Sequence, residues 1–218
     1  MASGYFITGT DTGVGKTTTT IALIDYFKRQ GKRVVGMKPV ASGCVWRDGY
    51  LQNEDALLIL QHANVALPYE IINPYAYELP VSPHLAGAEN PVRLEVIQAC
   101  FKRLADDSDW VLVEGAGGWY SPITPAFDNA DLAVMLGLPV ILVVPIRLGC
   151  INQGRLAMSA INRSEVVCAG WIAVCIEPNM PFEQENIAFL ENSLESPLLG
   201  IVPYQSGILV ESSGNFFP

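Results

Sequence analysis

Gly9-Thr10-Asp11-Thr12-Gly13-Val14-Gly15-Lys16-Thr17 decides how this chain is read. The apolar run Tyr5-Phe6-Ile7 leads into it, and residues 18–29 follow with helical spacing. Strand, glycine-rich turn and helix form the setting in which such a loop holds phosphate. Glycines let the backbone curl until its N–H groups converge, and the new helix adds the partial positive charge of its N-terminus. Gly13, Val14, Gly15 and Thr18 are then expected to border the phosphates, with Lys16 reaching the β- and γ-phosphates and the Thr17 hydroxyl on Mg²⁺. Five residues separate Gly9 from Gly15, one more than the strict motif, so Thr10 stands where its first glycine belongs.

Outward from the loop, βα alternation continues with no internal repeat. Residues 33–37, 110–113, 139–144, 166–175 and 198–202 read as buried strands; residues 53–60, 92–105, 151–162 and 182–194 read as helices. Residues 40–52 are expected to be irregular and residues 73–83 to form a proline-rich loop. Continuous apolar strands such as Val111-Leu112-Val113 belong to a sheet buried on both faces. The predicted fold is α/β, a mostly parallel sheet covered by helices on both faces, of the P-loop NTPase kind, with one domain over residues 1–218.

Three side chains away from the loop carry candidate chemistry. Glu114 ends a buried strand before Gly115-Ala116-Gly117-Gly118, at the strand tip where α/β sheets bind ligands. Beside a phosphate loop that carboxylate suits Mg²⁺, and the glycines permit close approach by another molecule. Lys38 ends the second strand, where an ammonium could reach a transferring phosphoryl group. A snorkelling surface lysine is the competing reading, and spacing alone does not choose between them. Asp55 either favours the first turn of a helix capped by Asn53 or turns its carboxylate toward the metal.

Composition removes other classes. With 218 residues, half of them apolar, the chain can bury a large core. A net charge of −9 without a basic stripe argues against a nucleic-acid partner. Five scattered cysteines with no Cys-x-x-Cys pair, and only two histidines, argue against structural zinc and suit a reducing cytoplasm. No basic segment followed by an apolar stretch opens the chain, and no run reaches membrane-spanning length, so no membrane association is expected.

Four ordered blocks resemble the dethiobiotin synthetase family. They are Thr8 to Thr17, Lys38-Pro39-Val40-Ala41-Ser42-Gly43, Val113-Glu114-Gly115-Ala116-Gly117-Gly118-Trp119, and Leu148-Gly149-Cys150-Ile151-Asn152. Asn73-Pro74-Tyr75 and Ser82-Pro83-His84 match between them, and the lengthened loop is normal in that family. The resemblance implies that 7,8-diaminononanoate, CO₂ and MgATP give dethiobiotin, ADP and phosphate. Catalytic roles fall on Lys16, Lys38 and Thr12, and metal ligation on Thr17, Asp55 and Glu114. ATP would also touch Gly115, Ala116, Gly117, Pro203 and Tyr204. Ser42, Gly117 and Gly118 would contact the diamine, and the helix N-terminus at Gly149, Cys150, Ile151 and Asn152 would take its carboxylate. A homodimer is implied, with the substrate site near the subunit interface.

The chain departs from the family pattern twice. Gly13 replaces a frequent loop glutamate, and Val174-Cys175 stands where Asn-Asp is usual, the Asn reading adenine. Valine has no side-chain donor or acceptor, so weak base selectivity is expected.

Two other classes share the loop. A partitioning or septum-positioning ATPase carries an extra lysine early in the loop, where this chain has Asp11. An amide-ligase-like synthetase of the cobyrinate type needs a glutaminase domain, for which 218 residues are expected to leave no room.

Overall fold

A computed structural model describes residues 3–204 of the chain. β1 (Ser3–Gly9) runs into the glycine-rich loop and α1 (Lys16–Arg29), and β2 (Val34–Met37) follows. Small elements come next: β3 (Val40–Ala41), β4 (Val45–Arg47), β5 (Tyr50–Gln52), α2 (Glu54–His62), α3 (Tyr69–Ile72), β6 (Tyr75–Ala76) and α4 (Pro83–Ala86). The second half alternates strictly: α5 (Leu94–Asp107), β7 (Trp110–Gly118), α6 (Asn129–Leu136), β8 (Val140–Ile146), α7 (Cys150–Ile161), β9 (Cys168–Cys175), α8 (Glu183–Ser193) and β10 (Leu198–Val202).

Six strands make one parallel sheet in the order β10-β9-β8-β1-β7-β2. All seven residues of β8 are buried in succession, which requires cover on both faces of the sheet. The expected parallel α/β architecture is the observed one. β1 lies between β7 and β8, with β2 beyond β7 on one side and β8 to β10 on the other. The chain therefore reverses its direction of travel across the sheet around β1. Strand tips diverge at such a point and leave a crevice, and the glycine-rich loop leaves β1 there.

Phe6, Leu23, Ile24, Leu112 and Trp171 are fully buried core members. The Phe27 ring stacks on Trp110 with centroids 3.9 Å apart, fastening α1 to β7. Truncating Leu112 to Ala would cost ~2–5 kcal/mol, the transfer loss plus the cavity left behind.

Four local readings need correction. Residues 40–52 are not irregular: β4 and β5 pair antiparallel around Asp48-Gly49, with φ of 52° and 84°. Two successive left-handed residues are what a tight hairpin requires, and Asp-Gly is its sequence signal. Residues 73–83 hold β6, whose Tyr75 pairs with Val40 of β3. α6 was not foreseen, although Asp128 and Asp131 form a capping box and Gly137, at φ 64°, closes its far end. Strand β7 also runs beyond Val113 to Gly118, because Gly118 still pairs with Gly9.

Candidate active site

The loop from β1 to α1 sits at the crevice with its lysine buried. Lys16 is 6% exposed, and its Nζ donates to the Asp11 carbonyl at 2.7 Å, curling over the loop's own backbone. Burial, and then the neighbouring Lys38 ammonium, pull Lys16 down to about 8. Gly15 has φ 91°, and a Cβ there would lie 2.7 Å from Val174 Cγ1, so both backbone and packing demand glycine. Val14 is fully buried and has only backbone to offer a ligand.

β2 and β7 bring Lys38 and Glu114 to the same edge. Glu114 is fully buried, and its Oε1 accepts from Lys38 Nζ and from Thr17 Oγ1 (3.0 Å). Its Oε2 accepts from Thr20 Oγ1 at 3.0 Å. Lys38 also donates to Asp55 Oδ2 at 3.0 Å, across from α2. At 5% exposure Lys38 is no surface lysine. Burial alone would lower Lys38, but Glu114 and Asp55 outweigh it and hold the ammonium well above the ordinary lysine value. Burial would raise Asp55, yet the Lys38 ammonium prevails and keeps it below the usual carboxylate range. The structure bears out the helix-start reading of Asp55, which stands in the first turn of α2 while Asn53 Oδ1 caps the helix by accepting from Ala56 N at 3.2 Å.

Two cavities flank this cluster. One, of about 450 Å³, is lined by Thr12, Lys38, Ser42, Asp55, Gly117 and Ser121 on its polar side and by Pro80, Val81 and Pro83 on its apolar side. Ser42 Oγ is buried there without a partner among the described residues. The other, of about 400 Å³, runs along Gly13, Gly15, Thr17 and Thr18 to Val174, Cys175, Pro203 and Tyr204. Asp55 lines both. Ala116 lines the first. Gly115 lines neither: it is buried, and a Cβ there would meet Phe6 at 3.1 Å and Asn129 Oδ1 at 3.0 Å. Gly118 lines neither and gives its N–H to Ser121 Oγ at 2.8 Å.

Gly149, Cys150, Ile151 and Asn152 are also not brought to either cavity. Gly149 begins α7 at φ 92°, and Cys150 is buried beneath it. Thr20, Ser121 and Asn129 belong to the site's surroundings and were missed. Thr20 is one helical turn after Lys16, on the face that meets Glu114, which the loop motif implies but does not name.

The residues suit a magnesium nucleotide. Thr17, Asp55 and Glu114 offer hard oxygen donors beside the loop, and Mg²⁺ needs only one or two carboxylates, since phosphates and water complete its shell. Among the described residues no group of three or more His, Cys, Asp or Glu could hold a metal by itself.

Residues 3–211 match the family described as AAA domain. Solved structures share the fold. A septum site-determining protein MinD from Pyrococcus horikoshii, complexed with Mg-ADP, superposes with TM-score 0.58 at 16% identity, covering 94% of this chain and 82% of that one. The signal recognition particle receptor FtsY from Elizabethkingia anophelis does so with TM-score 0.56 at 15% identity, covering 97% of this chain and 61% of that one. Sequence relatives are more specific. The ATP-dependent dethiobiotin synthetase BioD of Xylella fastidiosa (strain Temecula1) is 44% identical over 93% of this chain and 90% of its own. That of Nitrosospira multiformis is 46% identical over 94% and 89%. With a phosphate loop, a buried lysine–carboxylate cluster and two adjoining cavities at one sheet edge, this chain belongs to the ATP-dependent dethiobiotin synthetases, a family of ligases.

Proposed function

We propose that the enzyme joins CO₂ to 7,8-diaminononanoate and closes the product ring at the expense of ATP. One amine nitrogen attacks CO₂ and loses a proton to solvent, giving a carbamate. A carbamate oxygen attacks the γ-phosphorus, and the bond to ADP breaks. The second amine then attacks the carbonyl carbon of the carbamic-phosphoric anhydride and loses its proton. Phosphate leaves, and the ureido ring of dethiobiotin is complete. The observation that carries this reading is Asp55, shared by both cavities, with Lys38 beside it. A carbamate in one cavity and a γ-phosphate in the other would meet there.

No side chain has to form a covalent bond, so positioning and electrostatics supply the rate. Lys16 and Lys38 stabilise negative charge on the γ-phosphoryl group and the carbamate, and Thr12 donates to them from the loop. Thr17, Asp55 and Glu114 hold Mg²⁺, which when bound neutralises phosphate charge. Ser42 and Gly117 receive the diamine end, while the apolar wall of Pro80, Val81 and Pro83 suits its alkyl chain. Pro203 and Tyr204 border the base.

We assign the carboxylate of the diamine to the α7 N-terminus, at Gly149, Cys150, Ile151 and Asn152, in a homodimer. The start of α7 supports the carboxylate assignment, since the free N–H groups and partial positive charge of a helix N-terminus suit an anion. A cytoplasmic setting is supported by five cysteines that are all free. No helix among the described residues is long and apolar enough to cross a membrane.

Turnover with ¹⁸O-labelled bicarbonate tests the chemistry. Carbamate attack leaves one labelled oxygen in the inorganic phosphate. Unlabelled phosphate from enzyme that still makes dethiobiotin would overturn the order of steps.

A further inference from the structure

Asn129 is fully buried, and both donors of its amide are spent on the segment after Glu114. Its Nδ2 donates to the Ala116 carbonyl at 2.8 Å and to the Gly118 carbonyl at 2.7 Å. The helix it opens does not need it. Asp128 Oδ1 already accepts from Ala130 N and Asp131 N, and Asp131 Oδ2 accepts in return from Asp128 N. Asn129 Oδ1 is buried with no partner among the described residues. Flipping the amide would set that oxygen against two carbonyl oxygens, so the orientation follows from the segment it grips.

In a trans peptide the carbonyl and the next N–H point in opposite directions. Drawing the Ala116 carbonyl toward α6 therefore turns the Gly117 N–H away from α6. Gly117 lines the cavity with Thr12, Ser42 and Ser121, whereas Asn129 does not. Its φ of 77° is a backbone state that few other residues adopt. The adjacent Gly118 N–H is already taken by Ser121 Oγ at 2.8 Å.

We propose that Asn129 is a positioning residue that holds the Ala116–Gly117 peptide so that the Gly117 N–H serves as a donor to the ligand in this cavity. The role rests on reading that cavity as the diamine site. Asn129 touches no reactant and acts through one peptide plane. Its effect is accordingly concentrated on the diamine side, since none of Ala116, Gly117 and Gly118 lines the cleft that runs along Gly13, Gly15, Thr17 and Thr18.

Steady-state kinetics of Asn129→Ala and of the isosteric Asn129→Asp test this. The expected result is a rise of about tenfold or more in KM for the diamine, with KM for MgATP within about twofold of wild type. A purely structural loss would move both constants or only the melting temperature. A folded variant with an unchanged KM for the diamine overturns the proposal.

Should neither variant fold, the wild-type enzyme decides. Labelling alanine carbonyl carbons with ¹³C and glycine nitrogens with ¹⁵N selects the three Ala-Gly peptides, at Gly87, Gly117 and Gly170. Adding 7,8-diaminononanoate should shift the Gly117 amide and leave Gly170, inside β9, in place. An unmoved Gly117 amide at saturating diamine overturns the role. Wild-type enzyme that forms no dethiobiotin overturns the reading of the reaction instead.

Discussion

Lys38 and Glu114, 76 residues apart in sequence, form a buried ion pair just past Met37 and Val113, the last partners of β2 and β7. Asp55 completes it from α2, so three elements converge on one ammonium.

That pairing gives Lys38 a structural role beside the catalytic one proposed for it. Lys38→Gln should lower turnover strongly and also depress the melting temperature, because Glu114 would be left buried and unpaired, a loss of ~3–5 kcal/mol. The double variant Lys38→Gln, Glu114→Gln should recover part of the stability and none of the turnover. Calorimetry of the four proteins of this cycle measures it. A single variant as stable as wild type would contradict the pairing.

In the proposed reaction Lys16 makes a charge-assisted contact that strengthens as the γ-phosphoryl group transfers. Lys16→Ala should cost ~3 kcal/mol of transition-state stabilisation, about a hundredfold or more in rate. More than about a tenth of wild-type turnover under saturating MgATP would remove the loop from catalysis.

Much of this was legible locally. The phosphate loop, Lys38 and Glu114 each sit in short motifs whose chemistry depends on neighbours in sequence, and the parallel sheet followed from continuous apolar strands. The hairpin at Asp48-Gly49 carried a local signal that was overlooked among irregular residues. Thr20 and Asn129 are different. Thr20 meets Glu114 from 94 residues away, and Asn129 earns its place only by facing backbone carbonyls of another element. No spacing rule announces such contacts. The burial that separated the two readings of Lys38 is likewise a property of the folded chain.

The cleft beyond the glycine-rich loop ends in Val174, Cys175, Ile176, Val202, Pro203 and Tyr204, with no side-chain amide among them. An amide fork would give ~1–3 kcal/mol of base discrimination. CTP, GTP and ITP should therefore support dethiobiotin formation within about tenfold of ATP in kcat/KM. A preference for ATP beyond about a hundredfold would reveal a polar reader outside these residues.

Cys175 lines the same cleft, and its surroundings hold the thiol protonated. Burial, and then the Glu183 carboxylate, push it up to about 12. At pH 8 its thiolate fraction is near ~10⁻⁴, so alkylation should run orders of magnitude slower than for a free cysteine. The rate should rise with pH up to about 12, not level off near the ordinary thiol value. Mass spectrometry after iodoacetamide treatment of native protein at pH 8 checks this, and rapid labelling of Cys175 would contradict it.

ATP should be consumed only when the diamine and CO₂ occupy the neighbouring cavity. Parallel measurement of ADP and dethiobiotin, with the diamine or bicarbonate withheld in turn, tests it most directly. One ADP per dethiobiotin, with ADP release near background when either partner is missing, is the predicted result. ADP released at the full rate without the diamine would contradict the account and leave a nucleotide hydrolase on the same fold.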